Sequence, residues 1–167
     1  MNRFYTETQL KKACGLVHRQ DYEFDAWLSQ QNFTNIKNIS EYADYDTLGQ
    51  RQNLWSKYQQ GVSPWDLIMY FNNTKIVELG EVCRHIDSLV DQLSEHGQIY
   101  LALNKWCITV NQIDDSLLDL DFDTALPRYI QSRLKNFTIS DYKYIPNDRG
   151  GLGNWLHGNN RFWLVKK

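Results

Sequence analysis

Pro64-Trp65-Asp66-Leu67-Ile68-Met69-Tyr70 decides how this chain reads, because the run after the proline, apolar apart from Asp66, reads as a buried strand. Downstream of it the apolar pattern changes period. Ile76, Leu79, Cys83, Ile86, Val90 and Leu93 recur at helical spacing, with Val82 and Leu89 beside them and Arg84, Asp87, Asp91 and Glu95 on the opposite side. That stripe predicts one helix from about Thr74 to Glu95, closed by Gly97. Ile99-Tyr100-Leu101-Ala102-Leu103 is a second strand, without alternation and hence covered on both faces.

A second helix is expected after Thr124 as N-cap, with Pro127 in its first turn and Phe122, Leu126, Ile130 and Leu134 on its buried side. Residues 139–145 alternate like a strand, 146–160 are rich in turn formers, and Phe162-Trp163-Leu164-Val165 returns as the last strand. The expected fold is therefore α/β: a small, mostly parallel, Rossmann-like sheet with crossover helices and a C-terminal antiparallel hairpin.

The first third reads differently. Thr6-Glu7-Thr8-Gln9 fits a capping box ahead of Leu10, Ala13, Cys14 and Val17, and a second helix starts near Asp21 and stops at Asn32. Leu48, Trp55 and Tyr58 suggest a third, stopped by Gly61 and Pro64, while Trp27 and Trp55 are read as core. Residues 1–63 are thus expected to form a helical cap, and 64–167 the sheet, in one domain. A short strand at residues 33–39 is the weaker alternative, since Ile36 and Ile39 break a period of two. The free edge of residues 65–70 needs a cover. Either residues 33–39 pair with it, or the N-terminal helices shield it, or a homodimer does.

Composition narrows the functional classes. At 167 residues and 42% hydrophobic the chain has material for a core, and no apolar run approaches the ~20 residues that cross a bilayer. The N-terminus lacks the apolar core of an export signal. Cys14, Cys83 and Cys107 are too scattered for a metal set or a disulfide framework. A cytoplasmic protein with no membrane partner is the expectation. The net charge of −2 is uneven: residues 132–167 hold seven Lys/Arg against two acids, leaving −7 for the rest. Set among Tyr142, Tyr144, Trp155, Phe162 and Trp163, those cations make nucleic acid a candidate partner of residues 132–167, although a solvated sheet edge explains them as well.

The order from Trp65 onward resembles the second half of the class I S-adenosylmethionine-dependent methyltransferase fold. There the fourth strand reads like Pro64-Trp65-Asp66-Leu67-Ile68, the fifth follows a phrase like Glu95-His96-Gly97-Gln98, and the sixth and seventh form a terminal antiparallel hairpin. The segments Leu103-Asn104-Lys105-Trp106 and Tyr144-Ile145-Pro146-Asn147-Asp148 resemble uncharacterised proteins of tailed phages of cyanobacteria, which places the protein in a host cytoplasm.

One part of the family pattern is missing. Members hold the cofactor with a glycine-rich loop after the first strand, and residues 1–63 contain only Gly15, Gly49 and Gly61. The expectation is a degenerate domain without a cofactor that serves as a binding or regulatory protein, most simply for a protein partner. An active enzyme holding S-adenosylmethionine in an unconventional site is the alternative. A partner chain could also complete the sheet.

Two places could carry a site. The loop residues Asp148, Arg149, Asn154, Trp155, His157 and Arg161 gather charge, rings and glycines, although such glycines equally serve turns. Asp66, Asn72 and Asn73 form the second group, assigned to the end of the first sheet strand, where ligands of parallel sheets bind. His85-Ile86-Asp87 matches a metal-binding His-x-Asp, with His157 and Arg161 as later partners. Its place on a helix argues against that, so no metal is expected. Cys83 falls on the buried stripe, where a thiol acts as a small apolar group.

Overall fold

The computed structural model describes residues 28, 30–41, 59–72, 77–103, 108–109, 122–144 and 160–167. In chain order these form β1 (Ile36–Glu41), β2 (Trp65–Asn72), β3 (Val77–Glu78), α1 (Leu79–Ser88), a 3-10 turn (Val90–Gln92), β4 (Leu93–Leu103), β5 (Ile108–Thr109), α2 (Phe122–Arg133), β6 (Phe137–Tyr144) and β7 (Asn160–Lys166). The fold is mixed α/β. A five-stranded sheet has the order β1-β2-β4-β7-β6, and β3 and β5 form a separate two-stranded ladder.

β1 pairs in parallel with β2, and β2 in parallel with β4. β7 is antiparallel to both of its neighbours, β4 and β6. Residues 36–41 therefore cover the edge of β2, as the pairing alternative anticipated. The described part of residues 1–63 contributes a strand to the sheet. Of the expected N-terminal helices only the end of the second is described: Leu28 is helical and Gln31 N donates to Leu28 O in the following turn. The capping box at Thr6, the rest of that helix with Trp27, and the third helix with Trp55 lie outside the described residues.

Strand alternation divides the apolar side chains between two faces. Ile68 and Tyr70 of β2, Ile99, Leu101 and Leu103 of β4, and Phe162 and Leu164 of β7 pack under α1 and α2 through Leu79, Val82, Ile86, Leu126 and Ile130. On the other face Leu67, Met69 and Phe71 join Ile36, Tyr100 and Ala102, with Leu28, Phe33 and Trp163 against them. Burial of both faces explains why β2 and β4 read as continuous apolar runs.

The long helix predicted over residues 74–95 is shorter. Val77–Glu78 is extended and pairs with Ile108–Thr109, and the Glu78 carboxylate caps α1 by accepting from Gly80 N (2.9 Å) and Glu81 N (2.8 Å). At the other end the helix stops at Ser88 and the chain is a strand from Leu93. Val90 and Leu93 kept the helical period without being helical. Leu93 is buried in the same core from the start of β4. α2 begins at Phe122, so Pro127 sits inside the helix rather than in its first turn.

Side chains join the helices to the sheet and its turns. Asp87 accepts the Lys135 and Asn136 amides, tying the end of α1 to the turn before β6. Gln131 of α2 accepts from Ile139 N (2.8 Å) and donates to Phe137 O (3.0 Å), fixing α2 against β6.

Candidate functional site at the carboxyl ends of the strands

Register places one row of residues across the whole sheet at the carboxyl ends of β1, β2 and β4: Glu41, Asn72, Leu103, Asn160 and Tyr144. One step inward the row is Ser40, Phe71, Ala102, Arg161 and Lys143. In a parallel arrangement this end is where ligands gather, because the connections that leave the strands surround it.

Arg161 is the unusual member. It belongs to β7, not to a loop, and is only 2% exposed. Its Nη1 donates to the Tyr100 hydroxyl at 3.0 Å. Tyr100 is held edge-on to Trp163 (centroids 4.9 Å apart) and tilted against Phe71 (5.9 Å), so neighbouring rings fix the hydroxyl that the guanidinium meets. Burial pushes the Arg161 guanidinium down to about 9, because the desolvated charged form is disfavoured. Asn160, the preceding residue, belongs to the opposite, helix-covered face of the sheet; it is fully buried, and its Oδ1 accepts from the Tyr142 hydroxyl at 2.7 Å. The Tyr142 ring in turn packs on Phe162, with centroids 4.8 Å apart.

Asp66 is in the wrong place for such a site. It is the second residue of β2, about 20 Å of strand away from Asn72 at the carboxyl end. Its Oδ2 accepts from Thr34 N (3.1 Å), Thr34 Oγ1 (2.9 Å) and Asn35 N (3.0 Å), and its Oδ1 from Ser94 Oγ (3.2 Å). Slight burial pushes the carboxyl upward, but the bonds from Asn35, Thr34 and Ser94 outweigh it and hold the group below the ordinary aspartate value. Asp66 anchors the turn before β1. The grouping of Asp66 with Asn72 is corrected accordingly.

Asn72 takes its place in the row through its backbone register. Asn73, Asp148, Arg149, Asn154, Trp155 and His157 lie outside the described residues. Of the two groups read from sequence, Asn72 and Arg161 fall at the same end of the sheet. Asn160, Tyr100 and Tyr142 were missed as site residues. Tyr100 sits inside an apolar run and reads as core, and Asn160 reads as the last residue of a turn. A hydroxyl within a run otherwise free of polar atoms was the available signal.

His85 and Asp87 do not converge on a metal. The Tyr70 hydroxyl lies 3.3 Å from His85 Nδ1, with the rings edge-on at 5.3 Å, while Asp87 serves the amides before β6. Cys83 is 2% exposed, and burial, reinforced by Asp87 and Glu78, pushes its thiol up to about 12.

The described C-terminal cations do not share one surface. Arg161 is buried, Lys166 Nζ donates to Leu93 O (3.1 Å), and the Arg133 guanidinium lies 5.1 Å from the Tyr129 ring centroid. Lys135 and Lys167 are exposed beside the start of β6, where Lys167 N donates to Asn136 O. Lys143 is exposed at the opposite end, about 20 Å along the strand.

No protein-family model matches the chain, and comparison with curated proteins gives no match. Among the described residues no helix is long and apolar enough to cross a membrane.

Proposed function

We propose that this protein is a methyltransferase-like domain without a cofactor, working as a binding or regulatory protein through the carboxyl-end row of its sheet. The observation that carries the reading is the strand arrangement. β2 and β4 are parallel neighbours, and β6 and β7 form a terminal antiparallel pair, as in the fold that the sequence resembles. Four of the five strands, β1, β2, β4 and β6, run in one direction and β7 alone opposes them. That supports a largely parallel, Rossmann-like layout.

The loss of cofactor rests on the sequence after β1. It runs Tyr42-Ala43-Asp44-Tyr45-Asp46-Thr47-Leu48 before the first glycine, Gly49. A backbone cradle for a methionine or ribose group needs close approach without a Cβ, and this segment offers none.

In this proposal a protein partner docks over the carboxyl-end row. The likeness of residues 103–106 and 144–148 to phage proteins supports a place in the cytoplasm of an infected host. The separation of Lys135 and Lys167 from Lys143 favours a protein over a nucleic-acid strand, since counterion release grows with the number of phosphates contacted together.

Isothermal titration with S-adenosylmethionine and S-adenosylhomocysteine is the test. No heat of binding is expected from either. Micromolar binding of one would replace the proposal with that of an active methyltransferase. In that case Asn72→Ala should weaken it, whereas Asp66→Ala, at the far end, should not.

A further inference from the structure

We infer that residues 59–62 are an edge plug, which ends the sheet at β1 and keeps a second copy of this chain from adding a strand there.

Among the described residues β1 is the outermost strand of the five-stranded sheet on its side. Its odd-numbered neighbour Asn35 turns its carbonyl toward β2, accepting Asp66 N (2.8 Å) and Leu67 N (3.2 Å). Ile36, one residue on, therefore turns its backbone outward, and so do Asn38 and Ser40. Those outward groups are what an added strand would pair with.

Residues 59–60 hold the first of them. Ile36 N donates to Gln60 O (2.8 Å) and Gln60 N donates to Ile36 O (3.0 Å), an isolated antiparallel bridge. Asn38 N donates to the side-chain Gln59 Oε1 at 2.7 Å. A side chain, not a further backbone strand, thus takes the second outward amide. An incoming strand would meet an occupied edge at both positions.

The plug is clasped at both ends. Gln60 Nε2 donates to Phe33 O (3.1 Å) and Val62 N donates to Asn35 Oδ1 (3.0 Å). Gly61 between them has φ +76°, a left-handed conformation, and a Cβ there would stand 2.2 Å from Asn35 Oδ1. Only glycine lets the chain turn this tightly back onto residues 34–35.

The test combines native-state hydrogen exchange with sedimentation velocity on the full chain. Gln59→Ala should speed exchange of the Asn38 amide roughly tenfold, while the amides of β2 and β4 stay protected. Gln59→Ala with Gln60→Pro removes the side-chain acceptor and the bridge donor together. The double variant should dimerise in a concentration-dependent way, and Ser40→Pro added to it should restore the monomer.

Unchanged Asn38 exchange in Gln59→Ala would overturn the inference, and that result decides even if the double variant does not fold. So would a folded double variant that stays monomeric. A wild-type dimer dissociated by Ser40→Pro would also overturn it, because the edge would then be an interface already in use.

Discussion

The Arg161 guanidinium donates to the Tyr100 hydroxyl at 3.0 Å from a position 2% exposed, one register step inside the carboxyl ends of β2 and β4. A cation is costly to hold in such a place. Replacing a whole buried ion pair by apolar side chains is often neutral or stabilising, but Arg161→Met removes one side of a buried contact and takes this donor from the Tyr100 hydroxyl. The variant should therefore lose about 1–3 kcal/mol, read as a lower melting temperature, and also lose capture of the partner. Undiminished capture by the folded variant would assign Arg161 to the fold alone.

Asp66 should act in the opposite sense, on stability and through pH. Its folded-state pKa lies below the ordinary value, so its contribution is present above the unfolded value of 3.8 and fades as pH falls through the folded one. Asp66→Ala should cost about 1–2 kcal/mol at neutral pH, discounted because the group is largely solvated. It should also flatten the loss of stability between roughly pH 5 and pH 2. Urea titrations at a series of pH values check both. An unchanged acid limb in the variant would contradict the role given to the Thr34, Asn35 and Ser94 bonds.

Cys83 should be chemically silent. Its thiol is pushed up to about 12 and is buried in the same core as Val82 and Ile86, so the reactive thiolate is scarce in the folded state. At pH 8, alkylation of Cys83, followed by peptide mass mapping, should proceed only as fast as α1 opens, and should rise sharply in denaturant. Modification at the rate of an unfolded-chain thiol would mean that the α1 face is not packed as described.

The sequence revealed the elements whose pattern came from burial alone. The apolar runs at residues 65–70 and 99–103 marked β2 and β4 because both faces of those strands are covered. β1 was only a weak alternative, since among its described side chains Ile36 alone is well buried and gives little pattern to read. The helix was over-extended because Val90 and Leu93 reach the same core from a 3-10 turn and a strand, keeping a helical period by coincidence of position. Glu78 looked like a helix residue, although a carboxylate two residues before Gly80 is what an N-cap requires. The candidate site was half legible. Arg161 was found for its charge, but its depth in β7 and its bond to Tyr100 depend on register across β4 and β7, which no local pattern encodes.

Gly97 tests the junction between β2 and β4. The pairing of these strands shifts register between Trp65 and Leu67, and Gly97 lies in β4 at that irregularity. A Cβ built there would stand 2.7 Å from the Trp65 carbonyl oxygen and 3.0 Å from Leu93 Cβ. Both obstacles resist movement, the first because it is backbone and the second because Leu93 is 5% exposed in the core under the helices. Gly97→Ala should therefore destabilise by about 1–3 kcal/mol, the range for forcing a methyl group into packed structure. The opposite sign is expected where the site is open, because loss of glycine freedom in the unfolded chain then stabilises by about 0.4–1 kcal/mol. Denaturant midpoints of the wild type and Gly97→Ala decide between them. A neutral or stabilised variant would show that β2 and β4 do not approach as closely at Trp65 as the register shift requires.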